Sequence, residues 1–537
     1  MNASGTKIWT HKQKEREKKM RSLEKNKADG NFSKQFYLLI AAVAAMIALA
    51  AFGIYAYRNY PFETPPEMSG NIIQVKAGGN FQDALNHAKS GDTIQLQSGA
   101  TFSGNFVLPN KAGNEFITIR ASANDSQLPP SDTRIDPKKY AAVLPKLVSP
   151  TEEPVISASN GAHHYRFVGV EFGANKNGVG NIIQIGTTEE KRIEDLPHNI
   201  EFDRVYIHGS PTAGQRRGIA ANGKFIRIIN SYISDIKREG EESQAIAIWA
   251  TDGPVEIVNN YLEAASENIL FGGAGSTLKL VPTDCLVKDN WMNKPLEWRG
   301  QKWLVKNIFE IKFGKRIKVE NNLMTNNWGM GQDGSAVLFT TRADIDKETI
   351  IEDIEFKNNI IRNSDNGINV YGSEGSGGHH LTIHNNFFEE IGGQNPNETG
   401  GRFMKSSAWD ELVIENNTII NSGNITSSYD APVLGFVFRN NIVFENEYGF
   451  KGDGTASGAS TIEKYFPGGD VSYNAIVGAK AASYRGKNLY PVSIRQIGFA
   501  DADAKDFRLR PDSPLRAKGF QGKNIGADLD AKTVGGK

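Results

Sequence analysis

Glu310 and Lys312 alternate with apolar residues in Phe309-Glu310-Ile311-Lys312. On a strand, alternate side chains share a face. With Phe309 and Ile311 turned inward, Glu310 and Lys312 point out side by side. Further along, inward Val337 and Phe339 leave Thr340 and Arg342 to point out. A basic group beside an acidic one is what β-elimination of a uronate could use. One cation neutralises the carboxylate, and a Lys or Arg of lowered pKa takes the C5 proton. The competing account is a solvated row of ion pairs.

The region from Glu263 to Arg342 holds more of the same chemistry: Glu267, Lys294, Arg299, Lys306 and Gln332. Arg299 is a third candidate cation, and Glu267 joins Glu310 as an acid, base or cation ligand. Five of the seven Trp residues lie between Trp249 and Trp328. Sugars present flat C–H faces that stack on aromatic rings, so exposed Trp298, Trp303 and Trp328 would suit a glycan groove. Gln332 and His208 are further candidate contacts, although such residues also pack between long loops or sit in turns. Arg216-Arg217 and Glu241-Glu242 read as loop charges that could line the same groove. Hydrolysis would need two carboxylic acids at a set separation. Glu267 and Glu310 are candidates, but no Asp-Asp pair stands in these strands, which ranks hydrolase below lyase. His379, His380 and His384 would need an acidic partner to hold a metal. No dense Asp/Glu set compels a Ca²⁺ site, though one is compatible with the reading.

The elements that must position these groups are written as a returning phrase. It reads Ile226-Arg-Ile228-Ile-Asn230-Ser231, Val255-Glu-Ile257-Val-Asn259-Asn260 and Cys285-Leu-Val287-Lys-Asp289-Asn290. Further copies end at Asn322, Asn359, Asn386, Asn417 and Asn441, at intervals of roughly 24 to 37 residues. That period belongs to a solenoid coil. The alternation gives a strand with one buried face. The Asn pair ends it, because Asn tolerates the left-handed conformation and its amide can bond to the equivalent amide one coil away. A third strand recurs, as in Ala245-Ile-Ala-Ile and Ala336-Val-Leu-Phe339. Hairpin turns are scarce, so the expected class is all-β, a parallel β-helix spanning 71–471. Asn80 to Gly91 reads as an amphipathic helix able to lid the first coil. Residues 121–155 are Pro-rich and read as an excursion over the surface. The lone Cys285 reads as core.

Residues 1–35 carry 10 Lys+Arg against 4 Asp+Glu, so the neutral whole leaves the remainder at −6. This disfavours a nucleic-acid surface on the main body. Phe36 to Tyr57 is a nearly unbroken apolar run, long enough to span a bilayer. Basic residues crowd its N-terminal side, which places the N-terminus in the cytoplasm and the rest outside. An uncleaved anchor is expected at 36–57, followed by a Pro-rich stalk at 58–70. The alternative is a cleaved signal peptide, with Ala48-Leu49-Ala50 resembling its site.

The tail, 472–537, contains Asp506-Phe-Arg-Leu-Arg510, Pro511-Asp-Ser-Pro514 and Asn524-Ile-Gly-Ala-Asp528. Together the lid helix, the Asn ladder and this closing segment resemble the pectin-lyase-like superfamily, and bacterial exported right-handed β-helix repeat proteins within it. The resemblance implies a right-handed parallel β-helix over about 71–530. It also implies a polysaccharide partner, approached by the superfamily's lyases, hydrolases, esterases or epimerases or by its noncatalytic adhesins. Fold does not choose among them.

Overall fold

The computed structural model describes residues 70–343, 348–392, 400–529 and 535. The chain divides into two compact units, Met1–Pro65 and Pro66–Lys537. The first lies outside the described residues, and with it the expected membrane span 36–57. Among the described residues no helix is long and apolar enough to cross a membrane.

The second unit is a parallel β-helix, the fold expected from the repeat. Three long sheets of 16, 13 and 12 strands run along it, and in each the strands pair in parallel with those of neighbouring coils. One coil shows the plan: Val255–Val258 lies in the first sheet, Tyr261–Ala264 in the second and Glu267–Phe271 in the third. Inward positions keep register from coil to coil. Ile183, Ile219, Ile246, Ile269, Phe309, Val337 and Ile368 form one file through the third sheet. A single apolar core fills the tube from Val75 to Tyr484, Cys285 included.

The two residues of each Asn pair do different work. The first adopts positive φ, as at Asn259 (56°), Asn321 (57°) and Asn416 (54°). The second builds the ladder. Asn290 and Asn322 each give their backbone N–H and their amide to the Oδ1 of the next Asn, at 2.9–3.0 Å. The chain of amides runs from Asn260 through Asn359, Asn386, Asn417, Asn441 and Asn474 to Asn488.

The helix Phe81–His87 is capped by Asn80 and buries Phe81, Ala84 and Leu85. The Pro-rich excursion is less detached than expected: Lys146–Val148 is a strand of the second sheet. Its Leu128, Ile135 and Leu144 cover Tyr206 and Tyr232 on that sheet's outer face, while its end, at Val155, bonds to Ile182 of the third sheet. Coils continue past the expected limit at 471, to the strand Ala475–Val477. The tail closes with a two-stranded antiparallel sheet, Phe499–Asp501 with Asp506–Leu509.

Candidate functional site

The outer face of the third sheet gathers the chemistry. Successive outward positions on one line are Gln184, Ala220, Ala247, Leu270, Glu310, Leu338, Asn369 and Lys405. Beside it runs a polar line, Asn181, Arg217, Gln244 and Glu267. Arg217 donates to Asn181 and Gln244, both at 2.9 Å, and Gln244 donates to Glu267 Oε2 at 2.8 Å. The Arg217 guanidinium also lies 5.1 Å from the Trp249 ring centroid.

Lys306 is the centre of this face. Its Nζ is 3.0 Å from Glu267 and 2.5 Å from Glu242, and its side chain is 8% exposed. Burial pulls its pKa down, but Glu267, Glu310 and Glu242 together outweigh this and hold it above the ordinary lysine value. Lys306 is therefore a fixed cation and not a base. Glu267 and Glu310 are both fully buried. Burial raises the Glu267 pKa against the pull of Lys306, with Glu310 and Glu242 adding to the rise. Glu242 is more open. There burial is outweighed by Lys306, Lys312 and Arg217, and its carboxyl is held below the ordinary range. Glu310 accepts from Asn307 at 3.2 Å and Thr340 at 3.3 Å. Asn307 also donates to Gln332 at 3.1 Å.

Lys294 lies under the corner that leads into Glu267. Its Nζ donates to the carbonyls of Ala264, Ala265 and Ser266 at 2.8–2.9 Å. Burial pushes its pKa down to about 7, Glu267 pulling the other way, while three acceptors favour the charged form.

Buried polar atoms are normally paired within a protein. Along this face Asn222 Nδ2, Trp249 Nε1, Asn307 Oδ1 and Asn369 Oδ1 have no protein hydrogen-bond partner. Two of the cations expected from the sequence stand at its edge. Lys312 is half-buried; its backbone N–H donates to the Phe271 carbonyl at 2.8 Å, and its side chain makes no hydrogen bond or ion pair among the described residues. Arg342 lies 3.6 Å from Glu374 and 5.5 Å from the Tyr371 ring centroid.

Other expected residues land elsewhere. Trp298, Trp303 and Trp328 are buried, 3–6% exposed, and pack with Ala265 and Val305. They are not sugar platforms, because the long loop before Lys306 packs Trp298 and Trp303 into one cluster with Trp328. Lys237 sits over Trp298 and Trp303 at 4.7 and 5.1 Å. Arg299 is exposed on that loop. His208 belongs to the second sheet, where it pairs with Glu171 at 3.0 Å, so it does not share a face with Lys312. Glu310 takes the outward position expected of it, yet it is covered. Half-buried Gln332 joins the site only through Asn307. The acidic partners that the histidines needed do exist. His380 lies 3.1 Å from Asp353 and 3.3 Å from Glu411, and Glu352, Asp353 and His380 bring ligand-type atoms within 4.8 Å of one another on the first sheet. Asp353 and His380 are exposed and Glu352 is half-buried. Tyr371, Lys405 and Tyr429 lie further along this sheet, at positions that the sequence pattern does not single out.

No protein-family model and no curated protein matches this chain. Among solved structures it is similar to a PL6 family alginate lyase, with 16% identity and a TM-score of 0.47 over 86% of this chain. The chain spans 58% of that lyase's length. It is also similar to a mannuronic acid specific polysaccharide family 6 lyase from human gut microbiota, with 12% identity and a TM-score of 0.39 over 79% of this chain and 83% of that one. A third is the family 28 exopolygalacturonase of Yersinia enterocolitica, with 10% identity and a TM-score of 0.37 over 79% of each chain.

Proposed function

We propose that this is an exported, membrane-anchored protein that acts on polysaccharide, cleaving an acidic glycan by β-elimination on the outer face of the third sheet. In this reading the chain winds right-handed, Phe81–His87 lids the first coil, and 36–57 holds the N-terminus in the cytoplasm. The observation that carries the reaction is Lys312. Its half-buried side chain makes no hydrogen bond or ion pair among the described residues, and it directly follows the strand of Glu310, one coil from Arg342. In its neutral amine form Lys312 takes the C5 proton and becomes an ammonium, the freed electron pair forms the C4–C5 double bond, and the oxygen at C4 leaves and is protonated by water. Arg342 neutralises the uronate carboxylate, which acidifies C5. Buried Glu267 and Glu310 are positioning groups that hold Lys306 and Asn307; their expected role as direct acid and base is set aside.

A second reading is glycan binding without cleavage, favoured by the full burial of both carboxylates. The test incubates residues 70–537 with a panel of uronate polymers, with and without Ca²⁺, and follows the absorbance of unsaturated ends. Wild type should generate them, and Lys312→Ala should lower the rate at least about 100-fold, the scale of a lost general base. Retention of substrate without unsaturated product would leave binding alone.

A further inference from the structure

The third sheet's outer face continues beyond Lys312 towards the C-terminal coils, and its composition changes there. By register, Thr340 is followed by Tyr371, then Ser407, and Tyr429 lies one residue past Ser428, the partner of Ser406. Tyr371 and Tyr429 thus flank a serine. Their rings are parallel to within 5°, with centroids 6.3 Å apart. A cation stands over each: Arg342 at 5.5 Å from Tyr371 and Lys405 at 4.9 Å from Tyr429. Between them Asn369 faces out, its Oδ1 without a protein partner.

The acids nearby are already engaged. Asp333 accepts from the Ser335 backbone and hydroxyl at 3.2 and 2.9 Å and pairs with Arg402, leaving Lys405 at 3.9 Å. Glu374 accepts from the Ala343 N–H at 2.9 Å, with Arg342 at 3.6 Å. Both cations therefore keep much of their charge for a ligand. Aromatic faces suit sugar C–H groups, an unpaired amide suits a hydroxyl, and a cation beside each ring suits a carboxylate.

We propose that Arg342, Asn369, Tyr371, Lys405 and Tyr429 form an extended subsite for a polyuronate chain lying along the helix axis. Four coil steps separate Lys312 from Tyr429, about 19 Å at roughly 4.8 Å per step. The subsite therefore engages sugar units well beyond the one at Lys312, and it makes binding depend on chain length. This deepens the reading of the site as one that acts on acidic glycans, and rests on it.

The test is affinity electrophoresis of residues 70–537 in gels containing polymannuronate, polygalacturonate or neutral xylan, alongside the unsaturated-product assay on long and short uronates. The paired substitution Lys405→Gln with Tyr429→Ala should weaken retention by at least one polyuronate about tenfold. It should lower the rate on long chains, leave the rate on uronate trimers unchanged and leave retention by xylan unchanged. Lys405→Arg, which keeps the charge, should restore retention in the single-site series, and thermal melting checks that the coils are intact. Unaltered polyuronate retention in the paired variant overturns the subsite, even where product formation upholds the cleavage reading. Retention that the variant loses, with no product from wild type, upholds the subsite and sinks cleavage. Wild type that binds no polyuronate overturns the subsite outright.

Discussion

At the scale of residues, Lys306 matters more than either acid expected to do the chemistry. Two fully buried carboxylates and a more open one gather around its ammonium, which is the nearest cation to Glu267 and Glu242, with Lys294, Lys312 and Arg217 acting from further off. Removing one side of a buried pair leaves a charge in low dielectric and costs about 3–5 kcal/mol. Lys306→Met should therefore lower the denaturant midpoint by an amount of that order. Glu242→Gln removes a carboxylate that is 42% exposed and should cost far less. Comparable midpoints for the two variants would show that Glu267 is not held by Lys306. The sequence supplied Lys306 as one name in a rich stretch, without its centrality. Side-chain alternation tells whether a residue faces the tube or the outside. It does not tell whether a loop then lies over the outside. Glu310 was read correctly by that rule and is still buried, and the tryptophans are hidden for the same reason.

At the scale of elements, the Asn phrase was legible because its two functions are local. A sharp corner needs a residue that accepts positive φ, and stacked corners need an amide that can both donate and accept. What spacing left open was which Asn does which. Asn322 donates to Asn359 Oδ1 and to the carbonyls of Val287 and Glu320, and accepts from the Asn290 N–H and amide, all while fully buried. Asn322→Ala orphans several of these groups at once, each costing about 1–3 kcal/mol when unsatisfied. The neighbouring Asn321 is less buried and works mainly through its φ of 57°. Asn321→Ala should cost only about 1–2 kcal/mol, the penalty of the left-handed conformation, and Asn321→Gly should recover most of it. Chemical denaturation of the three variants ranks them. Equal losses at 321 and 322 would contradict the division of labour.

At the scale of the whole unit, the second sheet carries an apolar stripe on its outside as well as its inside. Tyr206, Tyr232, Tyr261, Trp291, Leu323, Ile360 and Phe387 follow one another in register. A free sheet face of this kind would be an aggregation site. The chain covers it from both ends. Leu128, Ile135 and Leu144 lie over the first tyrosines, while Ile497, Phe499, Phe507, Leu515 and Ile525 bury Ile360, Phe387 and Ile442. Arg134 joins the two covers by donating to the Gly535 carbonyl at 2.6 Å and to Asn259. The Pro-rich excursion and the closing segment, which look like separate irregularities in the sequence, are thus two halves of one covering. Ending the chain after Pro491 keeps Asn488 and the last rungs, so β content by circular dichroism should persist. It also strips the cover from Ile360, Phe387 and Ile442, each worth about 1.5–3 kcal/mol when buried. The shortened protein should bind a hydrophobic dye, self-associate on sizing and melt earlier. A shortened protein that stayed monomeric, dye-free and as stable as the full chain would mean that the stripe needs no cover and that the tail serves some other end.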